Sequence, residues 1–275
     1  MSLHWSACSG CGRPLKLAVS RPIAGQHPTP RRRFSDDRPP IEIRLPAARR
    51  VDIPKRMENE IYLRQLPIGP MENFVYLLGA KGSPQVAVVD PAWDVDAIEA
   101  AARQEGKTIA CALLSHCHGD HTNGVPELLA RHDIPVYAQK KEIEFSPELR
   151  SIGDAMKGLA PGDEICVGPL AIKALHTPGH TPGSQCFYCG GSLVSGDTLF
   201  IKACGRCDLR GGDPEAMYRS LSQVLMKLPD ETRLFPGHDY AEVPVSTIAE
   251  EKKSNPYMQF PDLASFVQYR MRPRR

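Results

Sequence analysis

The chain lacks long hydrophobic runs. Its longest apolar stretches, such as IACALL and FVYLLGA, are far shorter than the roughly 20 residues that a membrane-spanning helix needs. The N-terminal region also lacks the apolar segment and small-residue cleavage site of a secretory signal peptide. We therefore expect no membrane partner, a cytoplasmic location and free thiols at the nine cysteines, because a reducing compartment disfavours disulfides.

The chain has little net charge, but that charge is unevenly distributed. The formal net charge at pH 7 is +2, to which residues 1–58 contribute +7 and residues 59–275 contribute −5. A mildly acidic folded region argues against a nucleic-acid-binding surface, so we expect no nucleic-acid partner.

Residues 1–58 lack any sustained periodicity and contain eight prolines. Such a segment is predicted to be a disordered Pro/Arg-rich extension that precedes one folded domain at residues 59–275. Three alternatives remain open for it. The first is an organelle-targeting peptide, because no acidic residue precedes Asp36. The second is half of a zinc knuckle at CSGCG, and the third is a translation start at Met57.

Residues 59–275 alternate between strand and helix patterns. IYLRQL, NFVYLLG and QVAVVD are typical of strands, and DVDAIEAAARQEG is typical of a capped helix. The order strand, helix, strand follows in TIACALLSH, GVPELLARHD and IPVYAQ. The second half repeats this order, with AIKALHT, SQCFYCGG and SLVSGD as strands, DPEAMYRSLSQVLMKL as a helix and TRLFPGHD as a last strand. The pattern predicts an α/β fold of two halves packed face to face.

Metal-ligand side chains are concentrated directly after a buried strand, in SHCHGDH. At a strand end His116 and His118 are two residues apart and project to the same side, so they can bind one metal ion. Asp120 and His121 follow Gly119 and can face a second position next to that metal ion. This spacing predicts a metal site.

Three more ligand-type residues lie in glycine-flanked segments near strand ends. They are His180 in HTPGHTPGS, Asp197 in SGDTLF and His238 in PGHDY. Glycine beside a ligand allows a close backbone approach that a side chain would obstruct. We therefore expect four segments to converge on one edge of the fold.

In this order HCHGDH, HTPGHTPGS, GDTLF and PGHDY resemble the metallo-β-lactamase superfamily, and within it the glyoxalase II-like (hydroxyacylglutathione hydrolase) branch and its relative, persulfide dioxygenase. The resemblance covers about residues 59–260 and implies an αββα sandwich of two mixed sheets with helices outside. It also implies two divalent metal ions, zinc or alternatively iron or manganese, since imidazole and carboxylate suit all three. By this resemblance the first ion is bound by His116, His118 and His180, the second by Asp120, His121 and His238, and Asp197 bridges them.

Two residues carry the expectation of a substrate site. Arg206, in CGRCD, resembles a basic residue that reaches the glycine carboxylate of glutathione, and a guanidinium fork suits a carboxylate; a solvated surface arginine is the alternative. Tyr240, in PGHDY, matches a position that lines the same pocket. Asp208 stands where the long hydrolases carry tyrosine, and 37 residues follow His238. In both features the sequence resembles persulfide dioxygenase and the short glyoxalase II-like proteins more than the long hydrolases.

The cysteines at 186, 189, 204 and 207 form a CxxC-x14-CxxC pattern close to zinc-ribbon spacing. SQCFYC is typical of a strand, in which residues i and i+3 lie on opposite faces, so we favour structural cysteines and keep the ribbon as an alternative. Alternation also predicts that Cys117 points away from the metals.

These features predict a metal-dependent thioesterase of glyoxalase II type, acting on a small thiol ester such as an acylated glutathione through a metal-bound hydroxide. Asp120 is its expected catalytic residue, and a thiolate leaves without a strong general acid. The alternative is a persulfide dioxygenase with a single iron held by His116, His180 and Asp197. A degenerate binding module is disfavoured because every ligand position is filled. The sequence leaves the oligomeric state open.

Overall fold

A computed structural model describes the backbone of residues 43–44 and the chain from residue 61 to 272. Apart from residues 43–44, the predicted disordered extension lies outside the described residues. The possible targeting peptide, the zinc knuckle and the start at Met57 also lie outside them. Among the described helices none is both long and apolar enough to cross a membrane.

The first sheet contains six strands, hydrogen-bonded in chain order. Its first two pairings are antiparallel and the remaining three are parallel, so the sheet is mixed. The strands are β2 (Ile61–Ile68), β3 (Asn73–Ala80), β4 (Gln85–Val89), β5 (Thr108–Leu113), β6 (Val136–Gln139) and β7 (Met156–Leu159).

The second sheet contains seven strands and is also mixed, with one parallel pairing, between the strands at 192–196 and 233–236. Its strands, in spatial order, are β1 (Ile43–Arg44), β8 (Glu164–Val167), β9 (Leu170–His176), β10 (Gln185–Cys189), β11 (Ser192–Gly196), β14 (Arg233–Pro236) and β15 (Ser246–Thr247). A separate hairpin joins β12 (Leu199–Phe200) to β13 (Ala203–Cys204).

Helices cover the outer face of each sheet. They are α1 (Val95–Gln104), α2 (Gly119–Thr122), α3 (Val125–Arg131), α4 (Lys140–Phe145), α5 (Pro147–Ser151), α6 (Pro214–Arg219), α7 (Ile248–Ser254) and α8 (Leu263–Arg270). Alternation explains the layers: Phe74 and Tyr76 of β3 pack with Phe187 of the second sheet, while Val75 and Leu77 pack under α1 and α3. A third cluster joins Leu193 and Leu234 to α6 and α8 through residues such as Met217 and Phe266. The αββα sandwich is confirmed.

The strands and helices predicted from the sequence are present, with two differences. The strand in TRLFPGHD is not the last one, because β15 follows β14 and pairs with it. The helix predicted over DPEAMYRSLSQVLMKL is α-helical at α6, π-helical at Ser220–Val224 and 3-10 helical at Leu225–Lys227. Ser220 Oγ donates a hydrogen bond to the Pro178 carbonyl at 2.7 Å, and Ser222 Oγ donates to the Tyr218 carbonyl at 2.7 Å. A serine hydroxyl that bonds to the carbonyl four residues earlier, as in Ser222, bends a helix and contributes to this change.

Candidate metal centre

The predicted ligands lie in four segments, each of which follows a strand. His116 follows β5, His180 follows β9, Asp197 follows β11 and His238 follows β14. The four segments meet at one edge of the sandwich, where the ring of His116 lies 4.8 Å from that of His180 and 4.2 Å from that of His121. The structure therefore brings all seven predicted ligands together.

The first ligand group consists of His116, His118 and His180, whose ligand nitrogens lie within 4.8 Å of one another. His180 donates from Nδ1 to the Arg206 carbonyl at 2.8 Å, which leaves Nε2 with a lone pair 2.9 Å from Nδ1 of His118. Nε2 of His116 is buried and makes no hydrogen bond to any described residue. Buried polar atoms normally have partners, so three converging nitrogens fit a bound cation.

The second ligand group consists of Asp120, His121 and His238. Oδ2 of Asp120 lies 3.4 Å from Nε2 of each histidine. His238 donates from Nδ1 to the Met71 carbonyl at 2.8 Å, and Nδ1 of His121 lies 3.0 Å from Oδ2 of Asp90. These contacts place both Nε2 lone pairs toward the centre, as metal-binding histidines require.

Asp197 lies between the two groups. Its Oδ2 is 3.4 Å from Nε2 of His180, and its Oδ1 is 3.3 Å from Nε2 of His121. Oδ1 is buried, and its approach to His121 lacks the direction of a hydrogen bond. One carboxylate oxygen thus faces each group.

Electrostatics favour positive charge at this centre. Burial and the neighbouring histidines lower the pKa of His116 well below its usual value, and burial and His180 lower the pKa of His118 to about 4, so both rings are neutral ligands. Burial opposes charge on His121, yet Asp197 and Asp90 raise its pKa well above the usual value. Although burial opposes ionisation of Asp197, His121 and His238 hold its pKa well below the usual range. The carboxylates therefore stabilise positive charge at this position, and a bound metal ion would supply such a charge.

Two glycines are required by close packing against Asp197. A Cβ at Gly205 would lie 1.8 Å from the Asp197 carbonyl oxygen, and a Cβ at Gly237 would lie 2.5 Å from Oδ1 of Asp197. Both distances are far inside van der Waals contact, so any other residue would displace the ligand carboxylate. Gly119, between His118 and Asp120, differs from these two glycines, because a Cβ there would meet open space.

Two residues that orient the predicted ligands were not identified from the sequence. Asp90 accepts hydrogen bonds at Oδ1 from the Ser115 amide at 2.7 Å and at Oδ2 from the Ser115 hydroxyl at 2.6 Å, besides its contact with His121. Asn73 donates to Oδ2 of Asp120 at 3.0 Å and accepts from Nε1 of Trp93 at 2.9 Å. The only local indication was an aspartate at the end of the apolar run QVAVVD.

The predicted substrate residues lie at the rim of the centre. Arg206 forms a fork with Asp208, with Nε to Oδ1 and Nη2 to Oδ2 both at 2.9 Å, and both side chains are more than two-fifths exposed. Tyr240 stacks on His238 with ring centroids 4.6 Å apart and packs on Phe200 at 5.6 Å. Partial burial and the charges of nearby carboxylates raise the pKa of Tyr240 to about 12, so its hydroxyl keeps its proton.

The cysteine pattern does not form a zinc ribbon. Cys186 packs in the outer cluster beneath α6 and α8, whereas Cys189 packs between the two sheets, on the opposite face. Within residues 61–272 the close groups of three or more potential ligands contain histidine and aspartate alone. Cys117 packs against the core under α1 and α3 and not toward the metal ligands, as alternation predicted.

Comparison with known proteins agrees with this geometry. The family described as the metallo-beta-lactamase superfamily matches residues 68–238. The probable polyketide biosynthesis zinc-dependent hydrolase BaeB of Bacillus velezensis is 30% identical over 200 residues, covering 73% of this chain and 88% of that protein. A hydroxyacylglutathione hydrolase of Alkalilimnicola ehrlichii is 37% identical over 187 residues, covering 67% of this chain and 68% of that one. The mitochondrial persulfide dioxygenase ETHE1 of Mus musculus is 29% identical over 219 residues, covering 76% and 81%.

Two solved structures are similar to this chain in both fold and sequence. ETHE1 from Myxococcus xanthus superposes with a TM-score of 0.70 at 31% identity, covering 78% of this chain and 92% of that one. TTHA1623 in a di-iron-bound form superposes with a TM-score of 0.61 at 31% identity, covering 70% and 99%.

Proposed function

The chain belongs to the metallo-β-lactamase superfamily, and from that premise we propose that it is a dinuclear metal-dependent thioesterase acting on an acylated glutathione or a related small thiol ester. The position of Asp197 carries this proposal. Its two carboxylate oxygens face two separate ligand groups, each with three side chains, which is the arrangement that two neighbouring cations need.

In this proposal, Nε2 of His116, Nδ1 of His118 and Nε2 of His180 hold one ion, Asp120, His121 and His238 hold the other, and Asp197 bridges them. When bound, two divalent cations lower the pKa of a water toward neutrality and polarise the thioester carbonyl. Zinc is the preferred metal, with iron or manganese as alternatives.

The remaining roles belong to the protein. Asn73 orients the Asp120 carboxylate, and Asp120 is the catalytic residue of this proposal because it would hold one of the two cations. A thiolate with a pKa of about 8.5 departs without a strong acid, so the site needs no dedicated proton donor. At the rim, the carboxylate of a glutathione-like thiol would take the place of Asp208 on the Arg206 fork. Tyr240 presents a protonated hydroxyl and an exposed ring beside His238.

A mononuclear iron persulfide dioxygenase is the second candidate, and the fold similarity to ETHE1 from Myxococcus xanthus favours it. In that case His116, His180 and Asp197 hold the iron, and the second ligand group holds no ion.

One experiment separates the candidates. Protein purified anaerobically is analysed for metal content, then assayed for thiol release from lactoylglutathione and for oxygen consumption with glutathione persulfide. We expect two ions per chain and thiol release. One iron per chain with oxygen consumption would replace the thioesterase with the dioxygenase.

A further inference from the structure

A buried carboxylate beside the metal centre has no role in the function proposed above. Glu142 lies in the first turn of α4 and is 1% exposed. Its Oε1 accepts a hydrogen bond from the Cys117 amide at 2.8 Å, and its Oε2 accepts one from the Gly183 amide at 2.7 Å. A carboxylate is costly to bury unless it is hydrogen-bonded, so these two bonds account for its presence there.

The two amides belong to the two loops of the first ligand group. Cys117 lies between His116 and His118, and Gly183 lies three residues after His180. The first loop follows β5 of one sheet, and the second precedes β10 of the other sheet. Glu142 therefore joins the two sheets at the point where the three histidines must converge.

The second loop lies directly on α4. A Cβ at Gly183 would lie 2.3 Å from the Glu142 amide nitrogen and 2.5 Å from its Cβ, so only glycine allows this approach. The second ligand group has other supports, since Asp90 holds His121, Asn73 holds Asp120 and the Met71 carbonyl holds His238.

We propose that Glu142 is a positioning residue for the first ligand group: its carboxylate, shared between the Cys117 and Gly183 amides, sets the separation of His118 from His180. The inference rests on the proposed metal-binding function. It assigns Glu142 no contact with substrate.

The decisive variant is Glu142→Gln. The carboxamide has nearly the same size but a single acceptor oxygen, so its NH2 group must face one of the two amide donors. Glu144→Gln, at an exposed position of the same helix, is the matched control. Zinc affinity of each protein is measured by competition with a chromophoric chelator, together with metal content after gel filtration.

We expect Glu142→Gln to weaken one zinc site roughly 10- to 100-fold, the usual effect of removing a group that orients metal ligands, and to leave the other site unchanged. Glu144→Gln should bind both ions like the wild type. Unchanged affinity at both sites in Glu142→Gln, or equal weakening of both, would overturn the proposal.

A merely structural role gives a different result. In that case Glu142→Gln would lower the melting temperature of the metal-free protein, while the folded variant would keep wild-type zinc affinity. This outcome would also overturn the proposal. If Glu142→Gln does not fold, Glu142→Asp tests the same point, because it keeps the charge but is too short to reach both amides. Metal binding is measured without substrate, so an inactive wild type that binds two zinc ions contradicts the thioesterase and leaves Glu142 testable.

Discussion

The metal centre and its rim are built in different ways. His116, His121, His180 and His238 are at most 3% exposed, and each has a second ring nitrogen fixed by a neighbouring group. Arg206 and Tyr240 are exposed and are held by a surface ion pair and a ring stack. Buried, hydrogen-bonded ligands keep one geometry, whereas exposed pairs contribute little energy and exchange partners easily. The ligands of the candidate metal centre are therefore held in one geometry, whereas the contacts at the rim are more easily replaced.

The largest expected effect comes from breaking the centre at Asp120. Asp120→Ala should lower metal content from two ions toward one per chain and reduce thioester hydrolysis by orders of magnitude, because the reacting oxygen loses one of the two cations. Asp154→Asn, at an exposed position, is the control. In the dioxygenase alternative the variant and the wild type both contain one iron, and activity falls only about 10- to 100-fold.

The next effect comes from a residue behind the ligands. Asp90→Asn keeps an acceptor for Ser115 but removes the charge that orients His121 and raises its pKa. We expect a loss of roughly 10- to 100-fold in affinity for the ion of the second ligand group, measured by chelator competition. Unchanged affinity would show that His121 does not need this support.

A smaller effect is expected at the rim. Arg206→Ala should raise KM about fivefold, equivalent to roughly 1 kcal/mol for an exposed ion pair, and leave kcat nearly unchanged. Asp208→Asn should have the opposite sign and lower KM, because it frees the fork. Arg219→Ala, which breaks another exposed ion pair, with Glu215, is the control. A collapse of kcat in Arg206→Ala with unchanged KM would assign the arginine to the chemistry.

The smallest effect is expected for the N-terminal extension. A chain that starts at Met57 loses the two-residue strand β1, which pairs with β8 at the edge of the described second sheet. We expect this truncated protein to fold, to bind both ions and to melt within a few degrees of the full chain. Loss of soluble, metal-loaded protein would show that the extension is part of the fold.

Local patterns were sufficient for most of the fold. The longer strands of both sheets show apolar runs or alternation, and helix α1 shows its Asp94 cap and helical spacing. Several short elements were not predicted, because segments of two to eight residues carry too little periodicity: strands β1, β7, β8, β12, β13 and β15 and helices α2, α4, α5, α7 and α8. The irregular helix after α6 depended on hydroxyl contacts that the sequence does not display.

Local sequence patterns indicated which side chains converge at the candidate metal centre, because histidine and aspartate next to glycine at strand ends have few other uses. The residues that hold those side chains became apparent in the fold. Asp90 and Asn73 contact His121 and Asp120, 31 and 47 residues away. Glu142 accepts hydrogen bonds from the Cys117 and Gly183 amides, 25 and 41 residues away. Hydrogen bonds between distant segments depend on where the folded backbone brings them together, and no local pattern of residues encodes that position.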